Sequence, residues 1–183
     1  SSAFDYIGLF NTAMQSLDPV VFLEHHCLYT KKFPVPKDDL DYNIPFGKAR
    51  VTAAGEDLTV LTYSSMTGRL EALAEQLRIH GVSAEIIDLR TVDPTSLDYQ
   101  TIGNSLKKTG SIAVVEEAAG GQAIGERIAA EVTRRFFDEL DGPPCTLTSK
   151  NVPTSVSRIL EAAALLSDDE ILHGLVEIGK RRR

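Results

Sequence analysis

The chain has 183 residues, 43% of them hydrophobic and 25% charged, which is a composition typical of a globular protein and excludes general disorder. Lys and Arg number 19 against 26 Asp and Glu, and this net charge of −7 argues against non-specific nucleic-acid binding. The two cysteines, far apart and outside any CxxC pair, favour a reducing compartment, so we expect the cytoplasm, or the mitochondrial matrix in a eukaryote. No run approaches the roughly 18 apolar residues of a spanning helix, and we expect no membrane contact.

The first 47 residues combine one helix pattern with a linker. Apolar side chains recur at helical spacing over residues 5–15, and the short apolar run at 20–23 suggests a buried strand. Residues 31–45 contain three prolines with charges between them, which is typical of a linker. We therefore place a domain boundary near Gly47, and because residue 1 is not Met we expect these residues to belong to a longer protein.

After this boundary, strand and helix patterns alternate. Strands are predicted over residues 49–53, 58–63, 84–89, 112–115 and 145–148, and helices over 67–80, 97–108 and 124–140, with a last helix after residue 167. Gly81 and Gly110 stand where helices end, and Ser167 with Glu170 forms a capping box at the start of the last helix. Alternation of this kind predicts an α/β fold with a mostly parallel sheet and helices on both faces.

The glycine-rich stretch at residues 116–125 has the context of a phosphate loop, because it follows a strand and opens a helix. Its spacing is neither GxGxxG nor that of a Walker lysine loop, and Glu116 and Glu117 would repel a pyrophosphate. A tight strand-to-helix turn is the favoured interpretation.

The remaining candidate groups do not form a site. His25, His26 and Cys27 are consecutive, so the two histidines would face opposite sides of a strand, and no further ligands follow at a recognisable spacing. Ser64 and Ser65 follow a strand without an evident base, and no G-x-S-x-G elbow is present. The residues alone therefore predict no catalytic, cofactor-binding or metal-binding set.

Six stretches together resemble one known family. They are residues 18–24, 42–49, 86–94 (Ile-Ile-Asp-Leu-Arg-Thr-Val-Asp-Pro), 114–128 (Val-Val-Glu-Glu followed by Gly121 and Gly125), 140–143 and 151–153. Their order and spacing are similar to those of β-subunits of thiamine-diphosphate-dependent 2-oxoacid dehydrogenases, the decarboxylating components of these complexes. The departures are Thr-Ser-Val at 154–156, where the family often has Met-Pro-Tyr, and a basic C-terminus; they leave the substrate subclass open.

The resemblance implies a transketolase C-terminal domain over residues 48–183, a three-layer αβα sandwich around a mostly parallel five-stranded sheet. Residues 1–47 would be the tail of the pyrimidine-binding domain plus its linker. In the family, thiamine diphosphate and magnesium are held by another domain or subunit, and the activating glutamate lies earlier in the pyrimidine domain. We therefore assign no catalytic, cofactor-binding or metal-binding residue to this chain, which would not be catalytic alone.

The resemblance also implies partners. These are a second copy in a homodimer, the remainder of the dehydrogenase component, and the subunit-binding domain of the dihydrolipoyl acyltransferase. Asp141, in a Leu-Asp-small-Pro motif, is the candidate docking residue, although Asp-Gly-Pro is also a common turn former. Two alternatives stay open: another enzyme of the superfamily, such as transketolase, or a stand-alone module that binds an anion at the glycine-rich turn.

Overall fold

A computed structural model describes residues 1–121, 123–153 and 155–181. Gln122 of the glycine-rich stretch, Thr154 of the departing motif and the last two arginines lie outside the described residues. The helices are α1 (Ala3–Gln15), α2 (Ser65–Ile79), α3 (Tyr99–Thr109), α4 (Ile124–Phe136), α5 (Arg158–Ala164) and α6 (Asp168–Lys180). The strands are β1 (Arg50–Ala53), β2 (Leu58–Thr62), β3 (Ala84–Asp88), β4 (Ile112–Ala119) and β5 (Cys145–Ser149).

The five strands form one sheet in the order β1-β3-β2-β4-β5. β1 runs antiparallel to β3, and the other neighbours are parallel. The predicted α/β fold with a mostly parallel five-stranded sheet is therefore confirmed. β2 lies at its centre and is buried along its whole length, since helices cover both faces.

Two hydrophobic clusters, one on each face of the sheet, make the sandwich. On one face Leu58 and Val60 pack with α2 and α6, and on the other Leu61 packs with α3 and α4. Successive side chains of a strand point to opposite faces, so a single apolar strand serves both cores. Three layers result, as the resemblance implied.

The helix ends follow the predicted capping signals. Gly81 and Gly110 adopt positive φ angles of 82° and 61° after α2 and α3, where side chains are disfavoured. The capping box of Ser167 and Glu170 is present at the start of α6. α3 begins two residues later than expected because Asp98 caps it, accepting a hydrogen bond from the Thr101 amide at 3.1 Å.

Other boundaries correct the sequence predictions. The expected buried strand at residues 20–23 is wrong: it has no regular structure, and Val21 and Leu23 are each 82% exposed. An apolar run becomes a strand only beside an edge that can exchange backbone hydrogen bonds with it. The helix expected over 124–140 ends at Phe136 and is followed by a 3-10 turn, Phe137–Glu139. α5, of seven residues, was not predicted.

The segment before β1 lies against α1. The Ile44 amide donates to the Gly8 carbonyl at 3.0 Å, and the Thr12 hydroxyl donates to the Ile44 carbonyl at 2.8 Å. The Gly47 amide donates to the Thr91 hydroxyl at 3.0 Å, which joins this segment to the loop after β3. A domain division near Gly47 stays a prediction. Within the described ranges, no helix is both long and apolar enough to cross a bilayer.

Candidate functional site

Asp141, the predicted docking residue, lies in an exposed turn between α4 and β5. Its amide donates to the Gly110 carbonyl at 2.8 Å. Its carboxylate lies over the Gly110 α-carbon, where a Cβ would be 2.0 Å from Asp141 Oδ2. Two features of position 110 favour glycine: its left-handed φ of 61°, and the close approach of the Asp141 carboxylate, which leaves no room for a Cβ. The turn is held to the end of the sheet at which β4 begins.

A shallow depression surrounds this turn. It is lined by Asp141, Pro143, Ser111 and two residues from the end of α6, Ile178 and Arg181. Arg181 Nη1 lies 3.3 Å from the sulfur of Cys145. The depression therefore carries a carboxylate and a guanidinium, a pair of charges that a polar partner surface can recognise.

The side-chain carboxyl group of Glu116 occupies the glycine-rich turn at the other end of β4. Glu116 is fully buried, and its Oε1 accepts a hydrogen bond from the Gly125 amide near the start of α4, at 2.8 Å. Its Oε2 accepts the Tyr63 hydroxyl at 2.7 Å. Burial raises the pKa of Glu116, and burial together with the Glu116 hydrogen bond raises the pKa of Tyr63. This agrees with a tight, closely packed turn, because Glu116 fills the position at the helix N-terminus that an anion would take.

His26 and Cys27 lie in a short 3-10 turn, His26–Leu28, and His25 directly precedes it, so these residues do not form a strand. His25 Nε2 lies 3.1 Å from Glu117 Oε1, and His25 Nδ1 accepts the Cys27 amide at 3.2 Å. Both ring nitrogens of His25 are therefore engaged within the chain. This pairing joins the N-terminal segment to the end of β4.

The serines after β2 have an unusual backbone. Ser64 has φ 59° and ψ −135°, and α2 begins directly after it without a side-chain cap. The sequence motif of a nucleophile elbow is absent, and no hydrogen bond to a base is described for Ser64. The geometry therefore adds no serine nucleophile to the candidates.

A buried charge cluster joins α1 to the sheet and was not predicted from the sequence. Asp5 is fully buried; its Oδ1 lies 2.8 Å from Arg90 Nη2 and its Oδ2 lies 3.3 Å from Arg50 Nη2. Arg50 also approaches Asp88 at 3.5 Å. Burial alone would raise the pKa of Asp5, but the hydrogen bond from Ser2 and the charges of both arginines lower it below its usual value. Sequence periodicity offered no signal for a cluster whose members lie far apart in the chain.

The resemblance implies thiamine diphosphate and magnesium, and the geometry tests whether this chain could hold them. In the described part of the chain, no group of three or more His, Cys, Asp or Glu side chains is arranged to hold a metal ion. The helix N-terminus of the glycine-rich turn is filled by Glu116. The described residues thus present no such cluster for magnesium, and the α4 N-terminus is not open to a diphosphate.

Comparison with known proteins agrees with this fold. Residues 47–171 match the family described as "Transketolase, C-terminal domain". The structure titled "Split gene transketolase, inactive beta4 tetramer" superposes with a TM-score of 0.64 over 81% of this chain and 48% of that chain. At 20% sequence identity, this likeness concerns the fold alone.

Curated relatives match along almost the whole chain. "Pyruvate dehydrogenase E1 component subunit beta, mitochondrial" of Dictyostelium discoideum is 36% identical over 184 residues, covering 100% of this chain and 51% of the relative. The subunit beta of Rhizobium meliloti is 40% identical over 172 residues, covering 93% of this chain and 36% of the relative. The chain thus spans about half, or less, of the length of these relatives. With the sandwich fold and the match over residues 47–171, the chain belongs to the transketolase C-terminal domain family.

Proposed function

We propose that this chain is the C-terminal region of the decarboxylating component of a 2-oxoacid dehydrogenase, of the pyruvate or branched-chain type. The observation that carries the proposal is the match of the whole chain, at 36% identity, to a subunit named for pyruvate dehydrogenase. In such a component, thiamine diphosphate bound with magnesium outside this chain supplies the carbanion chemistry of decarboxylation. The contribution of this chain is association with the other parts of the component and docking to the acyltransferase core, in the cytoplasm or the mitochondrial matrix.

Asp141 is the residue that we assign to docking. Its exposed carboxylate belongs to a turn whose backbone is fixed on Gly110, so little further ordering is needed when it meets a basic group of the subunit-binding domain. Opposite charges of this type steer association, and a desolvated pair contributes far more affinity than a pair at the rim. Arg181, across the same depression, adds a positive charge that an acidic group of the partner can meet.

The test is Asp141→Asn in the full-length component, titrated with the acyltransferase subunit-binding domain at low and high salt. We expect weaker binding and a shallower salt dependence, with the decarboxylation half-reaction unchanged, because Asp141 lies on a surface turn. Removing one member of a buried pair costs about 2–5 kcal/mol, whereas a rim pair usually costs less than about 1 kcal/mol. Asp138→Asn is the matched control, since it removes the same charge from the exposed 3-10 turn three residues earlier. Unchanged affinity of Asp141→Asn at low salt would make Asp141 a turn residue only.

Self-association is the second part of the proposal. Tyr6 and Phe10 of α1 are 43% and 41% exposed, and Val21 and Leu23 beyond it are each 82% exposed. Exposed apolar groups that lie close together favour burial in an interface, and a two-fold contact buries the same patch on both copies. We expect the isolated chain to form a dimer at high concentration. Light scattering that shows only monomer at millimolar concentration would contradict this.

A further inference from the structure

The end of α3 supports the turn that carries Asp141. Gly110, at the C-terminal cap of α3, has a φ of 61°, and its amide donates a hydrogen bond to the Leu106 carbonyl at 2.7 Å. Its carbonyl accepts the Asp141 amide at 2.8 Å, and its α-carbon lies beneath the Asp141 carboxylate. One residue thus contacts both the backbone and the side chain of Asp141.

The residues on either side hold the backbone of this turn. Leu140 packs against the core cluster that lies between the sheet and the layer of α3 and α4, and its amide donates to the Phe137 carbonyl at 3.3 Å. Pro143 follows two residues after Asp141, and its ring fixes its own φ. Asp141 itself is exposed. The rotation of its own side chain is therefore the main freedom left to the carboxylate.

A side chain at position 110 would take the place of the carboxylate. A Cβ built on Gly110 lies 2.0 Å from Asp141 Oδ2 and 2.7 Å from Asp141 Cγ, and both distances are far inside van der Waals contact. These atoms are the end of an exposed side chain, so rotation of the aspartate to another rotamer relieves the clash more easily than movement of α3 does. An alanine would therefore keep the turn and move its charge.

We propose that Gly110 is a positioning residue for docking, because it leaves the space in which the Asp141 carboxylate lies. This inference rests on the proposed docking at Asp141. A carboxylate held in one place meets a basic group of the subunit-binding domain with little loss of side-chain freedom, and it fixes the register of the two surfaces. The basic group of the partner is thus selected by its position as well as by its charge.

The test is a double-mutant cycle in the full-length component, titrated with the acyltransferase subunit-binding domain at low salt. Its members are Gly110→Ala, Asp141→Ala and the variant with both substitutions. We expect Gly110→Ala to lose most of the affinity that Asp141→Ala loses. In the Asp141→Ala background, Gly110→Ala should change the dissociation constant by less than about twofold, because no carboxylate is left to displace. A role in the fold alone would lower the affinity equally in both backgrounds.

Two further variants separate the position of the carboxylate from backbone strain. Gly121→Ala introduces a side chain at another left-handed position, φ 83°, where the added Cβ makes an ordinary contact of 3.5 Å with Asn151 Nδ2. Gly121 lies at the opposite end of β4 from the Asp141 turn, so this variant should bind as the unmodified component does. Gly110→Asn places a Cβ at the same point in a residue that tolerates left-handed backbone, so it should fold and bind as weakly as Gly110→Ala.

The outcomes distinguish this inference from the docking proposal. Undiminished binding by Asp141→Ala would overturn both. Weaker binding by Asp141→Ala would overturn the positioning role alone if Gly110→Ala and Gly110→Asn bind as the unmodified component does. Equal losses of affinity from Gly110→Ala in both backgrounds would overturn it as well.

Discussion

Gly125→Ala is the substitution that probes the packing of the glycine-rich turn most sharply. A Cβ built at Gly125 lies 2.0 Å from Glu116 Oε1 and 2.9 Å from Val114 Cγ1. The first distance is far inside van der Waals contact, so the buried carboxyl group must leave the Gly125 amide. The Glu116 hydrogen bond at 2.8 Å is then lost, and a buried acceptor keeps only the Tyr63 hydroxyl.

The magnitude follows from two opposing effects. Leaving a buried hydrogen-bonding group unsatisfied costs about 1–3 kcal/mol. Replacing a helical glycine by alanine returns about 0.5–1 kcal/mol, because the unfolded chain loses conformational freedom. We therefore expect Gly125→Ala to change the free energy of unfolding by between about zero and a loss of about 2.5 kcal/mol, which is about 1–3 kcal/mol less favourable than the same substitution at a helical glycine where the added Cβ has space.

Gly68→Ala is the matched control, because it makes the same change in another helix where the added Cβ meets nothing within 4 Å. It should raise the free energy of unfolding by about 0.5–1 kcal/mol. Urea denaturation of both variants at pH 7, monitored by circular dichroism, measures the change in the free energy of unfolding that each substitution causes. If Gly125→Ala is as stable as Gly68→Ala, the Glu116 carboxyl does not pack on Gly125 as described.

Four further substitutions test the buried charges, the core and the exposed run at residues 20–23. Asp5→Asn should lower the free energy of unfolding by about 1–3 kcal/mol at pH 7, since it leaves the partly exposed Arg50 and Arg90 without their buried carboxylate. The pKa of Asp5 is lowered from 3.8, so its contribution to stability is present above that value and lost as pH falls through the lowered value. Below pH 3.8 the urea midpoint of the variant should therefore fall less than that of the unmodified chain. The pKa of Glu116 is raised above 4.5, so its contribution to the free energy of unfolding is present below that value and lost as pH rises through the raised value. Glu116→Gln should abolish this decline in stability with rising pH. If the urea midpoint of Glu116→Gln depends on pH as that of the unmodified chain does, the assignment is contradicted. Leu70→Ala, at a fully buried position, should cost about 2–5 kcal/mol in urea denaturation. Val21→Ala, at an 82% exposed position, should change stability by less than about 0.5 kcal/mol, and a larger loss would show that the segment is buried.

Local patterns predicted the sandwich because its helices and strands bury regular faces. Leu70, Leu73 and Leu77 of α2 recur at helical spacing and all lie in one core cluster. Gly81 and Gly110 marked helix ends because left-handed backbone favours glycine. The same reasoning failed at residues 20–23, since hydrophobicity alone does not reveal whether a neighbouring strand is available.

Local sequence patterns did not predict the contacts between residues that are far apart in the chain. Asp5 and Arg90 meet only because α1 lies across the end of β3, and no spacing in the sequence relates them. Asp141 was singled out by its motif, but its approach to Gly110 depends on the end of α3 meeting the turn after α4.

The most direct test of the proposed function compares 2-oxoacid decarboxylation by the isolated 183-residue chain and by the full-length component that contains it. The assay supplies thiamine diphosphate, magnesium, an artificial electron acceptor, and pyruvate or a branched-chain 2-oxoacid. We predict turnover by the full-length component with one of these substrates, and none by the isolated chain, to which we assign association and docking. Turnover by the isolated chain, or a full-length component inactive toward every 2-oxoacid, would contradict the proposal.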